Sequence, residues 1–329
     1  MSLNVLFVGG TGQISLPVVR EAVAAGHQVS VFNRGRTTAE LPNGVTRIVG
    51  DMGEAASYGG LAKTRWDVVC QFMVFRPEQM ERDIATFAGN AGQYIFISSA
   101  SVYQKPARHY VITEKTPLTN PYWEYSRNKI ACERLLREQT ALPYTIVRPS
   151  HTTRTRLPTV LGEGDVVAHR MLRGRPIIVP GDGTSLWTLT RSADSAVPFV
   201  RLLGNGQALG EDFHITADRA HTWDQIYEGV AAILGARAEI VHVPSDTLIR
   251  YKPDWQGGLH GDRSWSALFD NSKIKGLVGP FTCAESLDAI LAEPVAHCKE
   301  RLRATGAETG ELDPLMDRIV AEQSALGRG

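Results

Sequence analysis

The chain has 329 residues, of which 43% are hydrophobic and 21% charged, with 35 basic and 35 acidic side chains. That length allows one large domain or two fused ones, and the apolar share is enough for a real core. A net charge of zero removes the electrostatic attraction that generic nucleic-acid and membrane binders depend on.

Cys70, Cys132, Cys283 and Cys298 show neither CxxC nor metal-finger spacing, so no metal site is expected and a reducing, cytoplasmic setting is. No apolar run approaches the roughly 20 residues of a membrane span. Leu3 to Val8 is too short for a signal-peptide core and lacks a basic stretch before it. The expected partner is a small-molecule substrate, with neither nucleic acid nor membrane; a homodimer is compatible with the sequence.

In chain order, Asn4 to Val8 reads as a strand buried on both faces. Gly9-Gly10-Thr11-Gly12-Gln13-Ile14-Ser15 follows, and then Leu16, Val19 and Val23 keep helical spacing up to Gly26. Pro17 falls in the first turn, where its missing N–H does little harm. His27 to Phe32 is the next strand. Strand, glycine turn, helix and strand within about 30 residues is the setting of a dinucleotide fingerprint. Gly9 permits the tight turn and Gly12 the close approach to a pyrophosphate. Gln13 and Ile14 stand at the helix N-terminus, which offers free N–H groups. The third small position is Ser15, small enough for close helix–strand contact.

The end of the second strand chooses the cofactor. A carboxylate there would bind the ribose hydroxyls of NAD, but the positions read Asn33-Arg34-Gly35-Arg36. Two guanidiniums suit a 2′-phosphate, so NADP is the expected cofactor. NAD remains the alternative, with Asn33 on the ribose. Val45 to Val49 and Trp66 to Phe72 are further strands. The alternation predicts an α/β fold, a doubly wound parallel sheet of the Rossmann type; a smaller C-terminal substrate-binding domain is expected beside it.

Gln93 to Ile97 is another buried strand, ending in Ser98-Ser99-Ala100-Ser101-Val102-Tyr103. A polar cluster at the carboxyl end of a parallel strand lies on the ligand side of the sheet. Downstream, Tyr125 and Lys129 are four residues apart on one predicted helix and share a face. A tyrosine hydroxyl, with a pKa of about 10, is a poor base at neutral pH. A nearby ammonium stabilises its phenolate, and a serine hydroxyl opposite can hold the substrate oxygen while hydride moves to or from a nicotinamide.

Taken in order, Gly-x-x-Gly, Ser-Ser-x-x-Val-Tyr, Tyr-x-x-x-Lys and Arg148-Pro149 resemble the extended short-chain dehydrogenase/reductase family. That family includes the NAD-dependent epimerases and dehydratases of nucleotide sugars. The likeness covers most of the chain, through Gly181-Asp182-Gly183 to Asp194, and leans toward a branch that includes the chloroplast stem-loop-binding proteins. It implies Ser99 as the catalytic hydroxyl, Asp51 at the adenine, and Pro149 with the residues after it along the nicotinamide. It divides the chain into a cofactor domain (1–160 plus about 186–217) and a substrate domain (about 161–185 plus 218–329).

Three departures bear on the substrate. Ala100-Ser101 replaces the Asp-Glu of sugar-nucleotide dehydratases, which argues against elimination chemistry. Trp187 stands where the family places an arginine after Gly-Asp-Gly. Leu259 and His260 precede Gly261-Asp262, where a later family arginine is expected two residues before that pair. Each lost charge-assisted bond to a diphosphate is worth roughly 1.5–3 kcal/mol, so a UDP-sugar is disfavoured. Ser101, His151 and Trp187 are the candidate substrate contacts. Arg148, Arg154, Arg156, Arg170, Arg173 and Arg175 form an expected positive patch for an anionic substrate.

Trp223 to Leu234 reads as an amphipathic helix with Trp223, Ile226, Tyr227, Val230 and Ile233 inward. Tyr251 to Trp265 lacks periodicity and reads as a loop forming a substrate wall or lid. Phe269 to Lys275 resembles the family's late, structural Asp-x-Ser-Lys segment, and Glu311 to Leu326 is a last helix docked on the body. The expected activity is NAD(P)-dependent hydride transfer at a secondary alcohol or ketone of a carbohydrate-like substrate. The alternatives are a nucleotide-sugar 4-epimerase and a non-catalytic RNA-associated relative; the zero charge and the intact Ser99, Tyr125 and Lys129 weigh against the latter.

Overall fold

A computed structural model describes residues 1–37, 39–305 and 310–326. Seven strands form the central sheet: β1 (Asn4–Val8), β2 (Gln28–Asn33), β3 (Thr46–Val49), β4 (Trp66–Gln71), β5 (Ala91–Ile97), β6 (Tyr144–Pro149) and β7 (Asp212–Ile215). Their order is β7-β6-β5-β4-β1-β2-β3, and every pair is parallel. The chain winds outward from β1 to β3 and then returns to β4 on the other side of β1. That reversal opens a crevice at the carboxyl ends of β1 and β4, where doubly wound sheets take their ligands.

The strand pattern explains the two covered faces. Val5, Phe7, Val29 and Val31 face one way, packing with Val18, Val19 and Ala22 of the Ser15–Ala24 helix and Phe199 of the Ser192–Val200 helix. Leu6, Val8, Tyr94 and Phe96 face the other, against Met80 and Phe87 of the Pro77–Phe87 helix and Cys132 and Leu136 of the Glu124–Glu138 helix. Each such side chain fully buried is worth about 1.5–3 kcal/mol of transfer free energy. Strand–face alternation thus locks the register.

A third apolar cluster lies outside this sheet. It gathers Trp187, Val167, Ile177 to Val179, and Trp223, Ile226, Tyr227 and Val230 of the Trp223–Leu234 helix. That helix has the expected bounds, and its C-cap Gly235 is left-handed at φ 73°; Leu234 is buried, with Ile233 only half so. Met316 and Ile319 dock the Leu312–Leu326 helix onto the same cluster.

One segment differs from its sequence reading. Residues 245–263 are a run of short helical pieces, Ser245–Tyr251, Trp255–Gly258 and a π turn Leu259–Arg263. Each is too short to display an amphipathic period, and Gly257 and Gly261 interrupt what there is. Their lack of side chains is required: a Cβ on Gly257 would lie 2.5 Å, and on Gly261 2.7 Å, from Trp123 atoms.

Candidate active site and cofactor cleft

The glycine turn leaves β1 into the Ser15–Ala24 helix. Gly9 has φ +84°, and a Cβ there would sit 2.4 Å from Met73 Cγ, so both its conformation and its closeness to the β4 end require glycine. Ser15 is more than a small residue. Its Oγ accepts from the Gly12 N–H at 2.8 Å and donates to the Gly9 carbonyl at 2.6 Å, bracing the turn from inside. From the far side, Arg154 donates to the carbonyls of Gly12 and Gln13 at 3.2 Å each. The Gln13 amide oxygen accepts from the Thr155 N–H and hydroxyl.

Beyond this turn a cleft of about 640 Å³ is lined by Gly9, Gly12, Asn33, Arg34, Arg36, Asp51, Met73 and Phe75, among others. The Asn33 side-chain oxygen accepts from the Gly35 N–H at 3.0 Å. Arg34 and Arg36 are exposed and make no ion pair among the described residues. Asp51 Oδ1 accepts from the Gly53 N–H. In the other direction the cleft continues into a chamber of about 280 Å³, with Gly12, Gln13, Ile14, Ser99, Tyr125, Lys129 and Pro149 on its walls. A left-handed glycine, a helix N-terminus and unpaired guanidiniums along one continuous groove fit a dinucleotide.

Ser99, Tyr125 and Lys129 meet at the inner end. Ser99 caps a short 3₁₀ turn after β5, its Oγ accepting from the Ser101 N–H. A hydroxyl chain links Ser99 to Ser101 at 3.0 Å and Ser101 to Ser126 at 2.8 Å. Burial pushes the Tyr125 phenol above its ordinary value, while the Ser99 hydroxyl acts in the opposite direction. Lys129 is 1% exposed, and burial lowers its ammonium to about 7. It donates to the carbonyls of Val74 at 2.6 Å and Ile97 at 2.7 Å, leaving one of its three N–H donors unused. Its Nζ stands 5.9 Å from the centre of the Tyr125 ring.

A third chamber, about 300 Å³, shares Ser99, Tyr125, Pro149 and Ser150 with the second. Ser101, His151 and Trp187 line it, and Ser101 is 3% exposed and already bonded within the serine chain. His151 meets the indoles of Trp187 and Trp223 edge-on at 6.2 and 6.4 Å. Burial first, and the positive charge of Arg263 second, depress it to about 3, so it is neutral at physiological pH. The sequence reading missed Lys105, Trp123 and Asp262 on the same walls. Asp262 had a visible signal, its place in Gly261-Asp262, but that pair served only to register a missing arginine.

Of the arginines expected to form a positive patch between Arg148 and Arg175, Arg148, Arg170 and Arg175 are held in internal ion pairs. Arg148 is fully buried, forking onto Glu133 at 2.9 and 2.6 Å and reaching Asp212 at 2.6 Å. Arg170 and Arg175 pair with Asp313 and Asp317 of the last helix. These carboxylates are remote in sequence, so the charge count along the stretch concealed them. The Arg148 cluster ties the helix carrying Tyr125 and Lys129 to β6 and β7.

Residues 9–170 match the NAD(P)H-binding family. Over 333 aligned residues, 99% of this chain and 93% of the other, the sequence is 28% identical to 2'-dehydrokanamycin reductase of Streptomyces kanamyceticus. It is 29% identical to the chloroplast stem-loop binding protein of 41 kDa b of Arabidopsis thaliana, over 73% of this chain and 65% of that one. The fold superposes with a TM-score of 0.71 on UDP-glucuronic acid 4-epimerase from Bacillus cereus, solved with UDP-glucuronic acid and NAD, at 18% identity and covering 90% of this chain and 99% of that one. No helix among the described residues is long and apolar enough to cross a membrane. With its glycine turn, its parallel sheet and these likenesses, the chain is an NAD(P)-binding enzyme of the Rossmann fold, similar to reductases and epimerases of the short-chain dehydrogenase/reductase type.

Proposed function

We propose that this enzyme is an NADP(H)-dependent reductase or dehydrogenase of a secondary alcohol or ketone in a carbohydrate-like molecule, working in the cytoplasm. The observation that carries the reading is the unbroken groove from Arg34 and Arg36, past Gly12, to Ser99 and Tyr125. Residues 1–160 with about 186–217 would hold the cofactor, and about 161–185 with 218–329 the substrate. Gly9, Gly12, Gln13 and Ile14 cradle the pyrophosphate, Arg34 and Arg36 take the 2′-phosphate, Asn33 and Asp51 flank the adenosine, and Pro149 bounds the nicotinamide.

The nicotinamide supplies or accepts the hydride. For reduction, the Ser99 hydroxyl donates to the substrate carbonyl oxygen and fixes it beside Tyr125. The phenol of Tyr125 gives that oxygen its proton as the carbon receives hydride, so ketone, hydride and proton sum to alcohol. The Lys129 ammonium holds positive charge beneath the ring, which favours the phenolate left behind. Its unused N–H is available to the nicotinamide ribose.

Two facts support a reductase over a nucleotide-sugar epimerase. The relative aligned along nearly both whole chains is named as a reductase of a dehydro compound. Trp187 on the chamber wall and Leu259 in the apolar cluster beside it stand in place of the two arginines that would hold a diphosphate, and the Trp187 ring suits a sugar face. Nucleotide release from the purified protein tests the choice: exchangeable NADP(H) is expected, and tightly retained NAD(H) would favour epimerisation. NADPH should bind more tightly than NADH, an advantage that Arg34→Ala with Arg36→Ala removes. A tighter NADH would return the ribose to Asn33. In a thermal-shift screen with cofactor present, a free sugar, glycoside or sugar acid should stabilise more than UDP-glucose or UDP-galactose. Stabilisation by a UDP-sugar alone overturns that substrate class. Failure to bind either nucleotide would favour the RNA-associated reading that the stem-loop-binding relative raises.

A further inference from the structure

The reaction chamber holds two charges that the hydride-transfer chemistry does not use. Lys105 follows the serine loop and is 4% exposed, yet its ammonium makes no hydrogen bond or ion pair among the described residues. Asp262 sits opposite in sign on the π turn, and its carboxylate likewise has no bonded partner among them. Each acts on the other through space, with burial lowering Lys105 and raising Asp262 from their ordinary values. Asp262 and Tyr125 line the same chamber, and the Asp262 charge raises the Tyr125 phenol. Among the described residues, Arg263 is the other charge that acts on the Asp262 carboxyl. Holding two such groups apart instead of pairing them is costly unless something polar lies between them.

The surroundings hold this arrangement in place. Asn120 donates to the carbonyl of Ser101 at 2.8 Å and to that of Gly261 at 2.7 Å, bolting the π turn to the serine loop. Gly261 brings the turn against Trp123, whose ring centre is 5.0 Å from that of Tyr125. A π turn that places a side chain in a chamber is a frequent mark of function.

We propose that Lys105 and Asp262 form a two-charge clamp selecting substrates with a hydroxyl beside the reacting carbon, that is, α-hydroxyketones and the corresponding vicinal diols. An ammonium can only donate and a carboxylate can only accept. An anionic ligand group satisfies Lys105 and is repelled by Asp262, and a cationic group meets the reverse. A hydroxyl serves both, giving its proton to Asp262 and its lone pair to Lys105. Hydride and proton still go to the carbonyl carbon and oxygen, and the neighbouring hydroxyl leaves unchanged. The inference rests on the hydride-transfer reading above and names the substrate class of that site.

The test compares NADPH-dependent reduction of 2-hydroxycyclohexanone with that of cyclohexanone by wild type, Lys105→Met and Asp262→Asn. The kcat/KM ratio of hydroxyketone to plain ketone should favour the hydroxyketone in wild type and fall about 10- to 100-fold in each variant, the range of a charge-assisted hydrogen bond. Thermal unfolding without ligand is the control: Lys105→Met should be as stable as wild type or more so, since it removes an uncompensated buried charge. A ratio unchanged in both variants overturns the clamp. If wild type reduces neither ketone, the hydride-transfer reading fails on these probes, and binding then decides the clamp separately. In that case cis-1,2-cyclohexanediol should shift the melting of the NADP⁺ complex more than cyclohexanol in wild type but not in Lys105→Met; equal shifts in wild type overturn it.

Discussion

The seven-stranded sheet and the cluster around Trp187 and Trp223 differ in how fully they satisfy their buried polar groups. Behind β6, Arg148 is wholly buried, yet Glu133, Asp212 and the Tyr103 hydroxyl satisfy it within 3.1 Å. In the half beyond the sheet, the buried atoms Trp187 Nε1, Trp223 Nε1, His221 Nε2 and Arg263 Nε have no partner among the described residues. Lys105 and Asp262 stand unpaired nearby. Buried polar groups are normally bonded; beside the sheet only Arg82 Nε and Ser98 Oγ fall short among the described residues, so that half is nearly finished as a structure. The half beyond the sheet leaves more of its buried polar atoms open, Trp187 Nε1 among them on the wall of the reaction chamber.

The largest expected effect belongs to the meeting point of the two halves. Tyr125→Phe keeps the ring against Trp123 and Phe75 and removes only the proton donor. Turnover should fall by about 10²- to 10⁴-fold, the range of general acid–base catalysis, with NADPH affinity within about twofold by fluorescence titration. Wild-type turnover in this variant would break the mechanism, and a lost cofactor site would move Tyr125 to the structural side of the comparison.

Next comes the finished half. Glu133→Ala would strand Arg148 with its charge only partly answered by Asp212, and removing one member of a buried pair costs about 3–5 kcal/mol. Urea unfolding should register that loss. Turnover per folded molecule should also drop, because the same helix carries Tyr125 and Lys129. A change below about 1 kcal/mol, the worth of an exposed pair, would mean that water reaches the cluster and that the contrast between the halves is overstated.

His151 sharpens the comparison through pH. Its folded pKa, about 3, lies below the ordinary histidine value of about 6.5, so the folded state resists protonation. Its contribution to stability is complete above about pH 6.5 and is lost as pH falls toward about 3. His151→Phe keeps an aromatic edge against the two indoles and removes the titration. Urea midpoints measured from pH 7 down to 4 should fall less steeply in the variant. Parallel curves would show that His151 protonates without penalty and that the chamber around it is already wet.

What could be read from the sequence follows the same division. Gly9, Gly12, the Tyr125–Lys129 spacing and the strands flanking them obey local rules: a left-handed turn, a helical face, a period of two. One stretch of chain therefore announces each. The partners of Arg170 and Arg175 lie on the last helix, and Lys105 and Asp262 lie on segments that Asn120 joins by bridging the carbonyls of Ser101 and Gly261. No periodicity encodes such meetings. The π turn was invisible for a related reason, because five residues with a glycine inside them display no helical period.

Ser15 tests the smallest of these effects, and it tests the finished half where local reading came closest. Its size alone could be matched by alanine, but its Oγ closes two bonds, from the Gly12 N–H at 2.8 Å and to the Gly9 carbonyl at 2.6 Å. A Cβ is already present, so Ser15→Ala creates no clash and removes only the hydroxyl. Both freed backbone groups border the cleft, where water can reach them, which limits the loss to about 1 kcal/mol. The turn would also be free to widen, so NADPH affinity should weaken by several-fold, and the weakening should be the same for NADH because the pyrophosphate is common to both. A change confined to NADPH would place the effect at Arg34 and Arg36 instead. An unchanged urea midpoint with unchanged affinity would show that Arg154, donating to Gly12 and Gln13 from outside, holds the turn without help from within.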